Sequence, residues 1–157
     1  MTYRFAPGSM ESSCEDVSND APVINSNEVE RRIAELLGEI GRYENMRDNA
    51  ETLDESERLN DDDREAWENH DKELEKLLKL RENADHLCNW HAIGGVALVR
   101  DDHLVPHAQE QTEDIHGADC VDSWPFTHID WEAAARDMVR YDWKSLDYDG
   151  VTYWVRS

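Results

Sequence analysis

The chain predicts an α+β protein: an N-terminal antiparallel helical hairpin followed by a small α/β domain with a short antiparallel sheet. Three observations predict it. Apolar residues recur at threes and fours through two long stretches between residues 26 and 90. The period then shortens in "IGGVALVR", residues 93–100. The last thirty residues read as a helix followed by two alternating runs around an Asp-Gly pair.

Residues 1–25 are polar with no sustained period, and read as a mobile acidic arm. Asn25 and Glu28 have the spacing of a capping box, after which Val29, Ile33, Leu36, Leu37, Ile40 and Tyr43 form one apolar stripe. The stripe fades near Asn49. "ETLDESERLN" offers a second cap, Thr52 with Glu55, and a turn of helix at most. A second long helix then starts, with Asp62 and Glu65 as its cap and Trp67, Leu74, Leu77, Leu78, Arg81 and Ala84 on one face. Three Asp at its start suit the positive end of the helix dipole. Two such helices with a short link predict the antiparallel hairpin, residues 26–90.

Residues 91–157 form the second predicted unit, with the division near Trp90. "IGGVALVR" reads as a buried strand. Asp101 or Asp102 caps a helix that carries Pro106 in its first turn and stops at Gly117. Asp130 caps "WEAAARDMVRY", and Asp149-Gly150 is the pair a type I′ hairpin turn prefers.

Charge limits the functions available. Lys+Arg number 16 against 37 Asp+Glu, giving a net charge of −21 and a sequence pI of about 4.5. Acidic residues outnumber basic ones in every segment, so the acidity is a property of the whole surface and not of a tail. Such a chain repels nucleic acid and anionic membrane, which excludes direct binding through a basic patch. A salt-adapted organism would select the same composition, so solubility alone remains an alternative reading. Cys14, Cys88 and Cys120 have no framework spacing, which points to a reduced, cytoplasmic setting. No apolar run approaches the roughly 18 residues of a membrane span, and the first residues lack a signal-peptide core.

Candidate chemistry is sparse. Cys88, His91, His103 and His107 have a spacing near that of a Cys/His zinc finger, but one thiolate with three imidazoles is an uncommon structural set, and no metal is expected. Cys120 beside His116 or His128 suggests a dyad with no third group to orient it. Gly94-Gly95 is no phosphate loop, because no Lys follows. No catalytic residue and no cofactor is expected.

The carboxylates themselves are the remaining signal. On a helix they recur every 5–6 Å or so, against one phosphate per about 3.4 Å along each DNA strand. A twenty-residue helix, roughly 30 Å long, therefore offers a row comparable to a short duplex. The acidic surface expected to carry binding comprises Asp61, Asp62, Asp63, Glu65, Glu68, Asp101, Asp102, Asp130, Glu132, Asp137, Asp147 and Asp149.

A family resemblance points the same way. "IDWEAAARDM" followed by "DGVTYWVR" resembles the end of the ArdA antirestriction proteins, where an aromatic-rich helix leads into an Asp-Gly hairpin closing on an aromatic residue and Arg. The positions that carry it are Asp130, Trp131, Glu132, Ala133, Ala135, Arg136, Asp137, Met138, Asp149, Gly150, Trp154 and Arg156. "HAQEQTEDIHG" adds Ala108, Glu110, Asp114 and Gly117, so the likeness covers about residues 95–157. It implies an ArdA-like C-terminal domain. It also implies a phage or plasmid product that mimics DNA and inhibits a restriction–modification enzyme, with an anti-CRISPR role equally compatible. The implied partner is the basic DNA-binding groove of a defence enzyme, and a homodimer is allowed because the family usually dimerises. The region 26–90 departs from the family's N-terminal domains. Two other readings stay open: a helical adaptor that pairs through its apolar stripe, and a small zinc-binding domain.

Overall fold

The computed structural model describes residues 17–54 and 58–157. The architecture is α+β: a four-stranded antiparallel sheet with helices on both faces. In chain order the elements are β1 (Val23–Asn25), α1 (Ser26–Asp48), α2 (Asp61–Asp85), β2 (Ala97–Arg100), α3 (Leu104–His116), α4 (Trp131–Met138), β3 (Trp143–Tyr148) and β4 (Val151–Arg156). A 3₁₀ turn, Asp101–His103, leads into α3, and two more, Cys120–Asp122 and Phe126–His128, shape the loop before α4. The sheet order is β1-β2-β4-β3.

Local chemistry explains most helix ends. Asn25 caps α1 by accepting from Asn27 N at 2.8 Å, while Glu28 pairs with Arg31 instead of closing the expected capping box. The α2 box is real but lies two residues earlier than the sequence suggests. Asn60 Oδ1 accepts from Asp63 N at 2.8 Å and Asp63 Oδ2 accepts from Asn60 N at 3.2 Å. Asp130 caps α4 through Ala133 N. The 3₁₀ turn takes the place of the Asp cap expected on α3, and His103 stands at that N-cap with no side-chain bond. Gly117 ends α3 at φ 109°, and Asp149 and Gly150 take φ 51° and 83°, both positive as a type I′ turn requires. The expected Thr52–Glu55 cap lies partly outside the described residues, as do residues 1–16 of the expected arm.

α1 and α2 run antiparallel, as the cross-pairs Glu30–Arg81, Arg32–Glu73 and Tyr43–Trp67 require. Their stripes, including Val29, Ile33, Leu36, Leu77, Leu80 and Ala84, meet Ile24, Leu98, Leu146, Tyr148, Tyr153 and Val155 on one face of the sheet. Alternate residues of the same strands, Val23, Val99, Trp143 and Trp154, point to the other face, where α3 and α4 supply Leu104, Ala108, Ala135 and Val139. The sheet is thus buried on both sides.

Three expectations change here. Val23–Asn25, read as the end of a mobile arm, is an edge strand paired with β2, and Val17 and Ala21 just before it are buried. It is ordered because Ala21 O accepts from Tyr153 Oη at 2.7 Å and Val17 O accepts from Tyr148 Oη. The strand at 93–100 shortens to Ala97–Arg100, because Gly94 and Gly95 sit at φ 85° and 81° and turn the chain. No break in packing follows Trp90. Its ring is fully buried in the cluster shared by α1, α2 and the sheet, and its Nε1 donates to Glu30 Oε1 at 2.8 Å.

Candidate partner-binding surface

The acidic residues of interest fall into three places. Asp61, Asp62, Asp63, Glu65 and Glu68 occupy the first two turns of α2, far along the helical layer. Their start is fixed by the Asn60 box, which uses the Asp63 carboxylate and leaves Asp61 and Asp62 exposed beside the helix's positive end. Glu68 pairs with Lys72 at 3.1 Å. The neighbourhood is not purely negative: the Arg47 guanidinium lies over Trp67 at 5.2 Å, and Arg42 lies over Tyr43 at 4.8 Å. The Glu39 carboxyl is held below its usual range, first by its hydrogen bond from Arg42 and then by that guanidinium's charge.

The second group lies across the sheet. Asp101, Asp102 and Glu132 line a shallow groove of about 250 Å³ between the 3₁₀ turn and α4, floored by Leu104, Val105 and Ala135. Asp101 accepts from Trp154 Nε1 at 2.8 Å, Asp102 pairs with Arg100 at 3.0 Å, and Glu132 with Arg136 at 3.4 Å. Asp130 is engaged as the α4 cap, and Asp137 lies 3.7 Å from Arg140. These carboxylates share one side of the molecule, and α2 occupies the other.

Asp147 and Asp149 form the third place. The β3–β4 turn brings them against α2, where Lys76 Nζ reaches Asp149 at 3.1 Å and both lysines, Lys76 and Lys79, line a cleft with Asp147. Lys72, Lys76 and Lys79 hold three of the chain's four Lys residues on one stretch of α2. Sequence reading missed this clamp. Its signal, lysines four and three residues apart in an acidic helix, was present, but Lys76 finds Asp149 73 residues away.

The structure does not gather the suggested zinc set. Cys88 follows α2, packs against the α1–α2 cluster and donates its thiol to Ala84 O. His107 lies on α3, beyond the opposite face of the sheet, with its ring 5.7 Å from that of Trp143. Among the described residues, no group of three or more His, Cys, Asp or Glu is arranged to hold a metal ion. The His107 pKa is lowered, chiefly by burial. The thiols of Cys88 and Cys120 are both raised, by desolvation first and then by nearby carboxylates, so neither environment favours a thiolate.

Among the described residues, no helix is long and apolar enough to cross a membrane. Comparison with known proteins finds no matching family model, no matching curated protein and no matching solved structure.

Proposed function

We propose that the chain is a non-catalytic acidic inhibitor that occupies the basic DNA-binding groove of a nucleic-acid-binding defence enzyme, of the restriction–modification or CRISPR type, and that it works in the host cytoplasm. The observation that carries this reading is how the cations are used. Among the described residues, ten Lys and Arg side chains stand in ion pairs with the chain's own carboxylates. Many other carboxylates among the described residues, Asp61, Asp62, Asp114, Asp119 and Asp122 among them, are exposed and stand in no ion pair. A surface of that kind attracts Lys- and Arg-lined grooves and repels DNA. The ArdA-like C-terminal sequence supports the same partner class, and dimerisation belongs to the proposal as the family's habit.

The adaptor reading has less to stand on. The apolar stripes it needs, Val29, Ile33 and Leu36 on α1 and Leu77 and Leu80 on α2, are buried in the chain's own core, leaving Leu37 exposed.

A competition assay tests the proposal. Immobilised protein is offered purified type I restriction and CRISPR effector complexes, with and without excess duplex DNA. Bound effector should be displaced by DNA, and binding should weaken steeply as salt shortens the screening length from about 10 Å at 0.1 M. Asp61→Asn, Asp62→Asn, Glu65→Gln and Glu68→Gln should each cost little, because an exposed pair is worth about 0–1 kcal/mol. Combined, they should cost about tenfold or more. Asp63 is spared because it closes the α2 cap. An effector that stays bound under saturating DNA would sink the mimic.

A further inference from the structure

The loop between α3 and α4 and its flanks carry three exposed apolar side chains with no assigned use. Ile115 at the end of α3 is 74% exposed and Trp124 is 77% exposed, while Ile129 is 37% exposed. Large apolar side chains this open need a reason when they share one end of a molecule. All three lie on the loop or its flanks, and Phe126 meets His116 of α3 with ring centroids 5.3 Å apart, which folds the loop back over the helix end.

The loop is built to hold this shape. Glu113 Oε2 accepts from Asp119 N at 3.0 Å, tying the loop to α3. Ser123 Oγ donates to Cys120 O at 2.8 Å, Thr127 N to Ser123 O at 3.2 Å, and His128 N to Pro125 O at 3.0 Å. A side chain presented from a pre-formed loop loses less freedom on binding, so more of its contact energy appears as affinity. Trp is also among the residue types that most often anchor protein interfaces.

Charge identifies the occupant. Residues 113–130 contain Glu113, Asp114, Asp119, Asp122 and Asp130 and not one Lys or Arg. Asp114, Asp119 and Asp122 are exposed and enter no ion pair among the described residues. Exposed apolar side chains set in a stretch of uncompensated carboxylates match an apolar surface accompanied by cations. We infer that Ile115, Trp124 and Ile129 dock an apolar patch rimmed by Lys and Arg on a partner protein. A second copy is a poor fit at this loop, because two such acidic rims set face to face repel. This deepens the proposed function by adding an apolar anchor beside the partner's basic groove, and it rests on that reading for the partner's charge.

The test uses the whole chain and a defined probe, an 18-residue amphipathic helical peptide made of Lys and Leu, titrated calorimetrically. Trp124→Ser should weaken binding about tenfold or more and Ile115→Ser several-fold, while Trp124→Phe stays within about threefold of the parent. Thermal melts should not move, since both side chains are exposed. If the Trp124→Ser protein melts early, Ile115→Ser decides alone. Equal binding by the serine variants overturns the inference, as does a parent that ignores the peptide. A parent dimer in sedimentation that Trp124→Ser dissolves also overturns it, in favour of a second copy. Wild-type and Trp124→Ser proteins that compete with DNA for an effector equally well would leave the mimic standing and remove the anchor. Trp124-dependent peptide binding without any effector binding would do the opposite.

Discussion

The two faces of the sheet are built differently. The face toward α1 and α2 buries long aliphatic side chains completely: Leu36, Leu77, Leu98 and Val155 are at 0% exposure, with Trp90 and Tyr153 beside them. The face toward α3 and α4 has a smaller centre, Val99 with Leu104, Ala108, Ala135 and Val139, roofed by the half-buried rings of Trp131, Trp143 and Trp154. Long helices offer many turns to one sheet, so their stripes close over it. The short α4 offers two turns and many alanines, so Trp143 and Trp154 from the strands and Trp131 from the start of α4 cover the gap. Stability therefore resides mainly on the first face. The second face displays side chains outward, among them the acidic groove and, in the loop joining its two helices, Trp124.

Matched truncations test that difference most strongly. Leu77→Ala should lower unfolding free energy by about 4 kcal/mol and Leu104→Ala by about 2 kcal/mol, both within the usual cost of emptying a core site. Urea melts that rank them equally, or in reverse, would show that both faces carry the fold alike.

Glycines sharpen the comparison at the next level. Gly95 sits at φ +81°, and a Cβ there would lie 2.3 Å from Asn25 Oδ1, the atom that caps α1. The neighbouring Ser26 Oγ accepts from Val96 N at 2.8 Å, so this loop locks the start of the first-face helix onto β2. Gly150, at φ +83°, has open space around it. Gly95→Ala should cost about 2 kcal/mol or more, from strain plus displacement of the cap, and Gly150→Ala about 1 kcal/mol from strain alone. Equal thermal shifts would mean that the loop is not what fixes α1.

The smallest effect is a pH dependence confined to the first face. Burial pushes the Tyr153 hydroxyl up to about 12, and that of Tyr148 rises for the same reason. Both favour the neutral, donating form in the folded state. Their contribution is complete below the ordinary tyrosine value near 10 and is lost as pH climbs through the folded values. Denaturant midpoints should therefore fall between about pH 10 and 12, and fall less in Tyr153→Phe. A midpoint that falls just as far in that variant would assign the alkaline loss elsewhere.

Legibility in the sequence follows the range of the interaction. Asn25, Asp130, Gly117 and Asp149-Gly150 were readable because a cap or turn is settled by residues within four positions. The α2 cap slipped by two residues because "NDDDRE" offers several overlapping Asx caps, and competition between them is decided by small geometric differences. Leu37 belongs to the apolar stripe of the sequence and is 55% exposed, whereas Leu80 lies off the expected face and is buried. A helix stripe fixes a face only to within its width, and the partner layer chooses its edge.

By itself, the sequence determined the α+β class, the α1 and α2 helices, the turn at Asp149-Gly150 and the dominance of negative charge. Each follows from local propensity, periodicity or simple counting. Only the tertiary structure decided that Val23–Asn25 joins the sheet, because that strand exists through its ladder to β2 and the tyrosine hydroxyls of β3 and β4. It alone also decided which carboxylates remain free. Asp149 meets Lys76 across 73 residues of sequence while Asp61 and Asp62 stay open, and the reason is that a charge is neutralised by distance in space and not by position along the chain.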